Sequence, residues 1–146
     1  MGFFSSRRAT IFSSRGGTPG RSRESSILLD RHGRFHHDGE RFAHRGLESG
    51  FHSWIRRHPD DGRFILYNGY DWTYFTVEDT PFFVTALDAE RLEITLSDGT
   101  REPLDVDSLS VDDDEVLRCR VKGGSEEARF TQPAQLQIAP LLGGDA

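Results

Sequence analysis

Three side chains that could ligate a metal ion recur at a four-residue spacing: His44, Glu48 and His52. On a helix this spacing places them on one side, where two imidazoles and a carboxylate could bind a divalent cation, with His36 or His37 as a fourth ligand. An ordinary polar helix face has the same spacing. Clustered imidazoles could also sense pH, because free histidine titrates at about pH 6.5. The sequence leaves these three interpretations open.

A pair of adjacent acids, Glu78 and Asp79, precedes Pro81. Paired carboxylates could face a ligand. The structural alternative is that Asp79 accepts backbone N–H bonds and fixes the bend into the next strand, as aspartates near turns commonly do. We favour the structural role.

Established catalytic signatures are missing from the sequence. It contains no Gly-x-Ser-x-Gly, no His-Glu-x-x-His, no Gly-x-Gly-x-x-Gly and no phosphate-binding loop. These absences favour a non-enzyme with no catalytic residues and no cofactor. A triad assembled from distant residues would leave no such signature, so the enzyme question stays open.

The composition describes a small domain with an aromatic core. The chain has 146 residues, 11 of them Phe, which suits one domain or two very small ones. Cys119 is the only cysteine, so an intrachain disulfide and a Cys-rich zinc site are excluded. A lone cysteine fits a reducing compartment, and we expect a cytoplasmic protein. No stretch of the sequence predicts a membrane span.

Charge divides the chain unevenly. Residues 1–26 hold five arginines and one glutamate, a net charge of +4. Because the whole chain has a net charge of −6, residues 27–146 carry −10. Residues 1–26 are rich in Ser, Arg and Gly and lack apolar periodicity, which predicts a disordered basic tail. The acidic remainder argues against nucleic acid as its partner. We therefore expect an unknown protein or small-molecule ligand, and the oligomeric state is open.

Turn dipeptides between apolar runs supply the elements that position these groups. Asx-Gly pairs favour tight reversals because Gly and Asx tolerate positive φ. The four pairs are Asp38-Gly39, Asp61-Gly62, Asn68-Gly69 and Asp98-Gly99. Apolar residues at helical spacing predict one main helix over residues 43–57. Around Asn68-Gly69 a two-residue loop would pair Tyr67 with Tyr70. The class is α+β, rich in antiparallel hairpins, with the helix packed on a sheet.

The predicted domain limits follow from these elements. Residues 27–88 form an N-terminal half of helix and hairpins, and residues 89–142 form a C-terminal half rich in strands. Residues 143–146 form a short tail.

The order of several short motifs resembles an uncharacterised family of Gram-negative bacterial proteins. Its pattern reads Gly-x-Trp-x-His-x-Gly, then a helix, Asp-Gly-x-aromatic and Val-Glu-Asp-x-Pro-Phe. The matching segments here are residues 33–39, 61–64 and 77–82, and a closing Gly-Gly…Glu-Ala-Arg stretch matches residues 123–129. The resemblance implies two related α+β halves and a role in signalling or regulation. Phe35 stands where the family has Trp.

The chain departs from that family pattern at residues 67–72, where the family carries a Thr-Pro…Glu-Lys stretch. A binding cleft is therefore predicted where the helix meets the hairpin, lined by Arg63, Tyr70, Asp71 and Trp72 with His37 nearby. The function that follows is a non-enzymatic binding or regulatory module in bacterial signalling. The alternative is a metal-binding protein or metal-dependent enzyme that uses His44, Glu48 and His52.

Overall fold

The computed structural model describes residues 22–142, which form two compact units that meet in sequence at Glu78 and Asp79. The class is α+β and mostly strands, as predicted. Residues 1–21 of the predicted basic tail and residues 143–146 lie outside the described residues. Neither helix of the described chain has the length and apolar character needed to cross a bilayer.

The described part of the first unit, residues 22–78, contains one helix and seven strands in two sheets. A four-stranded sheet has the order β3-β2-β1-β7, with β1 and β7 parallel, and a three-stranded antiparallel sheet has the order β4-β5-β6. Phe35 and Phe51 are fully buried and meet edge to face, with ring centroids 5.2 Å apart. The elements are β1 Ile27–Leu29, β2 Phe35–His37, β3 Glu40–Arg41, α1 Arg45–Ser53, β4 Ile55–Arg57, β5 Phe64–Tyr67, β6 Trp72–Tyr74 and β7 Thr76–Val77.

The predicted main helix is present but shorter than residues 43–57. It begins after His44, whose side chain accepts the backbone N–H of Leu47, and its α-helical part ends at Ser53. Ile55 to Arg57 form a strand instead, with Ile55 opposite Leu66. Helical periodicity placed Ile55 toward the core, and the strand also buries it. The sheet pairing therefore satisfies the same apolar requirement with a different backbone.

All four Asx-Gly pairs join consecutive antiparallel strands, and their glycines have positive φ. The strand before Asp61-Gly62 is β4, where the sequence predicted helix. The register around Asn68 differs from the prediction, because Tyr67 lies opposite Trp72 and not opposite Tyr70. The connection is therefore four residues long. Since side chains alternate with a period of two, this shift by two residues keeps the paired residues of β5 and β6 on their predicted faces, whereas Tyr70 and Asp71 lie in the connection.

The described part of the second unit, residues 79–142, contains a six-stranded sheet with the order β10-β9-β8-β13-β12-β11, in which β8 and β13 are parallel. Residues 132–142 form α2 and a 3-10 turn. Thr131 caps α2 by accepting the N–H of Ala134. The elements are β8 Phe82–Asp88, β9 Glu93–Leu96, β10 Arg101–Pro103, β11 Ser110–Val111, β12 Leu117–Val121, β13 Glu126–Phe130, α2 Gln132–Ile138 and 3-10 turns Val106–Ser108 and Ala139–Leu142.

Candidate functional site

Residues 22–26, the described end of the predicted tail, lie along the outer edge of β6. The backbone carbonyl of Arg23 accepts the N–H of Tyr74 and the hydroxyl of Thr73, both at 2.8 Å. The Ser25 hydroxyl donates to the Tyr74 carbonyl. We call residues 22–26 the strap. Because β6 is the last strand of its sheet, the strap covers backbone groups that would otherwise form an open edge.

The strap inserts an arginine into a buried polar site. The Arg23 guanidinium donates to the Asp71 carboxylate and, at 2.8 Å, to the carbonyl of Trp72, and its central carbon lies 4.8 Å from the centroid of the Trp72 ring. Asp71 is only 1% exposed. A buried carboxylate needs such a partner, because an unpaired charge in the interior costs several kcal/mol.

The two hydrogen bonds to the Asp71 carboxylate both end on the same oxygen. Its Oδ1 accepts from Arg23 and also, at 2.9 Å, from the backbone N–H of Trp72. Its Oδ2 is buried and has no hydrogen-bond partner among residues 22–142. The site therefore has an acceptor that could take one more N–H or O–H donor.

A second ion pair joins Glu24 of the strap to Arg63, the residue before β5. The Arg63 guanidinium donates two bonds, of 2.8 and 2.9 Å, to the carboxylate of Glu24, which lowers the pKa of Glu24. Its central carbon lies 3.6 Å from the centroid of the Tyr74 ring, and the Tyr74 hydroxyl donates to Asp61 at 2.6 Å. Burial and then this hydrogen bond raise the pKa of Tyr74.

The loop between β5 and β6 presents an aromatic side chain to solvent. Tyr70 is 71% exposed, the largest value among the large hydrophobic side chains of the described chain. The Asn68 side chain accepts the N–H groups of Tyr70 and Asp71 at 2.9 and 3.0 Å, and the Asn68 N–H donates back to the Asp71 carbonyl at 3.2 Å. Gly69 supplies the positive φ that this turn needs. The loop backbone is thus fixed while its tyrosine projects outward.

These observations place the five predicted binding residues. Arg63, Asp71 and Trp72 lie around the strap, and Tyr70 is on the adjoining loop. His37 lies in the other sheet of the unit, on β2, with its ring centroid 6.4 Å from that of Phe42. A binding role for any of these five residues stays a prediction.

The three predicted metal ligands all bond to the backbone. The His44 ring accepts an N–H of the first helical turn, Glu48 accepts the N–H of Phe35 at 2.7 Å, and His52 Nε2 donates to a carbonyl at 3.1 Å. Within the part of the chain that the structure describes, no three His, Cys, Asp or Glu residues are grouped so that they could hold a metal ion.

Sequence reasoning missed the role of Arg23, because it assigned the residue to a disordered tail. The sequence does offer one signal: the opposite charges of Arg23 and Glu24 stand two serines before the apolar residues 27–29. Sequence reasoning also missed a groove of about 390 Å³ in the second unit. The groove is lined by Glu102, Pro103, Leu104, Asp105, Arg120, Gly123 and Gly124. Its Glu102 carboxylate and Arg120 guanidinium are already bonded to the backbone.

Two solved structures share this fold. One is a DUF1285 family protein from Silicibacter pomeroyi, with a TM-score of 0.62 and 15% identity, over 95% of this chain and 80% of that chain. The other is a DUF1285 family protein from Shewanella baltica, with a TM-score of 0.57 and 15% identity, over 82% of this chain and 94% of that chain. No family model matches the chain, and no curated protein matches it.

The likeness is one of fold alone. The structural neighbours are domains of unknown function, in keeping with the predicted resemblance to an uncharacterised family. The motif pattern that suggested the resemblance, and the signalling role that it implied, stay predictions.

Proposed function

We propose that this protein is a non-enzymatic binding module whose partner-binding surface is the loop of residues 68–71 together with β6. The observation that carries the proposal is the exposure of Tyr70, at 71%, on a loop whose backbone is held by Asn68. A protein partner suits an exposed side chain better than a small molecule, which binds in a concave pocket, and the acidic net charge of the chain disfavours nucleic acid.

A fixed loop with an exposed tyrosine suits protein binding for an energetic reason. Tyrosine is enriched among the residues that dominate binding energy, because it offers a large contact area and few rotatable bonds. Association also costs the entropy of every segment that becomes ordered. The Asn68 and Asp71 hydrogen bonds already order this loop in the folded protein. The entropy of ordering the loop is therefore lost on folding and not on association.

The groups behind the loop support the same surface. Asp71 and Trp72, which follow Tyr70 directly, are both buried and bonded to Arg23. The tyrosine therefore stands on a packed base. A module that binds without chemistry also fits the signalling or regulatory role that the sequence resemblance implies.

A photo-crosslinking experiment tests this proposal. The photoreactive residue p-benzoylphenylalanine replaces Tyr70 in the full chain, which is produced in cells that naturally make the protein. The matched control carries it at Val111, another exposed apolar position, in the second unit. We expect a discrete protein adduct from position 70 and none from position 111.

Substitutions at Tyr70 complete the test. Tyr70→Ala should lower the affinity for the crosslinked protein at least about tenfold, the effect of a typical hot spot, and Tyr70→Phe should retain most of it. The proposal would be wrong if position 70 gave no adduct, or if Tyr70→Ala bound the crosslinked protein as the wild type does.

A further inference from the structure

We infer that the outer edge of β6 is a binding site for an extended partner segment in which an arginine is followed by an acidic residue. In this chain the strap, with Arg23 and Glu24, occupies that site in cis. The inference rests on the proposed function and specifies the chemistry of the partner.

The first subsite has the chemistry of a guanidinium pocket. It combines the buried carboxylate of Asp71, the backbone carbonyl of Trp72 and the face of the Trp72 indole. Carboxylate and carbonyl oxygens accept guanidinium N–H groups, and an indole face attracts the delocalised cation. Arginine fits this set better than lysine, because its planar group can donate and stack at the same time.

The buried oxygen Asp71 Oδ2 points to a ligand that could bond more completely. Arg23 uses its Nη1 on the other oxygen, Oδ1, and Oδ2 has no hydrogen-bond partner within residues 22–142. Two parallel N–H···O bonds are the preferred geometry between a guanidinium and a carboxylate. A guanidinium that approached Asp71 end-on would satisfy both oxygens.

The second subsite recognises an acid at the following position. Arg63 lies over the Tyr74 ring and donates two hydrogen bonds to the Glu24 carboxylate. Stacking on the ring holds the guanidinium in place, so that it is already oriented for a carboxylate. The order of the subsites fixes the order of the ligand residues: arginine first, then aspartate or glutamate.

The backbone of β6 supplies the third element of recognition. The Tyr74 N–H donates to the carbonyl of Arg23, which is the kind of bond that a peptide forms when it adds to an exposed sheet edge. Main-chain bonds of this kind contribute affinity without regard to sequence, and the two charged subsites then provide selectivity.

Because the strap already occupies the edge of β6, it competes with any partner segment for that site. A tethered strap competes at an effective concentration in the millimolar range, so a partner segment binds the intact chain weakly. Its apparent affinity is the intrinsic affinity reduced by the fraction of molecules in which the strap is released. Removing the strap side chains should therefore increase the affinity for a segment added in trans.

Fluorescence anisotropy with a labelled peptide tests the inference on the full chain. The probe is a synthetic peptide of residues 22–27 with fluorescein at its N-terminus. The proteins are the wild type, Arg23→Ala/Glu24→Ala, and the same double variant with Asp71→Asn. Circular dichroism and thermal melting establish that each variant is folded. We expect the double variant to bind the peptide at least about tenfold more tightly than the wild type.

Two controls link this gain to the proposed subsites. Asp71→Asn should weaken peptide binding to the double variant at least about tenfold, because the carboxylate partner is lost. A peptide with lysine in place of arginine should bind about fivefold or more weakly, because lysine lacks the planar fork. Equal binding of the Arg-Glu peptide and a scrambled peptide, or no binding by a folded double variant, would overturn the inference.

A milder variant covers the case in which the double variant does not fold. Glu24→Gln removes only the solvent-exposed ion pair with Arg63 and should raise peptide affinity by about threefold. An unchanged affinity in this variant would then overturn the inference. Crosslinking at Tyr70 does not depend on the peptide, so loss of peptide binding with normal Tyr70 crosslinking would refute this inference and leave the proposed function standing.

Discussion

Glu78 and Asp79 are neighbours in sequence, and each carboxylate binds arginine within a different compact unit. Glu78 accepts the backbone N–H of Arg31 at 2.8 Å and two guanidinium bonds of 3.0 and 3.1 Å from the same residue. Asp79 accepts bonds of 2.8 and 2.9 Å from Arg118 and one of 3.0 Å from Arg129. The paired acids of the sequence thus have arginine partners in the described structure and are anchors of their own units.

The Asp79 anchor should contribute measurably to the stability of the second unit. Replacing Asp79 by Asn weakens three charge-assisted bonds at a site that is mostly shielded from solvent. We expect the free energy of unfolding to fall by about 2 kcal/mol. Urea denaturation measures this value. Asp113→Asn, a change at an exposed acid, is the control and should stay within about 0.5 kcal/mol of the wild type. An equally small effect at Asp79 would contradict the assignment.

The same carboxylate gives a pH dependence of known sign. Hydrogen bonds from Arg118 lower the pKa of Asp79 in the folded state, with burial acting in the opposite direction. A lowered folded pKa means that the stabilisation is complete above the unfolded pKa of about 4 and is lost as the pH falls through the folded pKa. Urea titrations at a series of acidic pH values should show a shallower loss of stability in Asp79→Asn than in the wild type. Identical slopes would contradict this prediction.

Tyr74 should titrate above the range of a free phenol. Burial, and then the hydrogen bond to the Asp61 carboxylate, raise its pKa. The chain has three tyrosines, so Tyr67→Phe/Tyr70→Phe leaves Tyr74 as the only one. The absorbance of tyrosinate should then give a midpoint above about 10. Asp61→Asn should lower this midpoint, whereas Asp60→Asn, at the exposed neighbouring acid, should leave it nearly unchanged. If Asp61→Asn left the midpoint of the Tyr74 titration unchanged, the hydrogen bond would have no such effect.

Glu48 should matter for stability through a single backbone bond. Its carboxylate accepts the N–H of Phe35, a fully buried residue, and Glu48 itself is only 8% exposed. Glu48→Ala leaves that N–H without its acceptor and should lower the free energy of unfolding by about 1–3 kcal/mol. Glu48→Gln keeps an acceptor oxygen and should lose less. Glu40→Ala, an exposed substitution in the same unit, serves as the control. The role would be refuted if chemical denaturation gave Glu48→Ala and Glu40→Ala the same free energy of unfolding.

Cys119 should be inert in the native protein. Burial raises the pKa of its thiol to about 12, so almost no thiolate exists at neutral pH. Ellman's reagent should react slowly with the folded chain and rapidly after denaturation with guanidinium chloride. A fast reaction of the native protein would mean that the side chain reaches solvent.

Local turn chemistry made most of the strand layout predictable. Each Asx-Gly pair tolerates the positive φ that a tight reversal needs, a property of the residues themselves, and every pair is found between antiparallel strands. The hairpin faces were also correct, because a register shift of two residues leaves side-chain alternation unchanged. The far end of the helix was not predictable. Residue 55 satisfies the core equally well in either backbone, and pairing of Ile55 with Leu66 decided the outcome.

Some residues of the candidate site could likewise be predicted from the sequence and one could not. Arg63, Tyr70, Asp71 and Trp72 could be selected from the sequence, because they belong to a hairpin that local signals define. Their arginine partner could not be selected, because Arg23 lies 48 residues from Asp71 and falls in a segment whose composition is that of a tail.

The sequence by itself determined the α+β class, the positions of the reversals and the aromatic content of the core, because each depends on conformational preferences and solubilities of individual residues. The tertiary structure alone decided which charges meet: Arg23 with Asp71, Glu24 with Arg63, and Asp79 with Arg118. A charged side chain attracts every opposite charge within reach. Only the folded backbone, by bringing two distant segments together and excluding water from them, selects one partner from the many that the sequence offers.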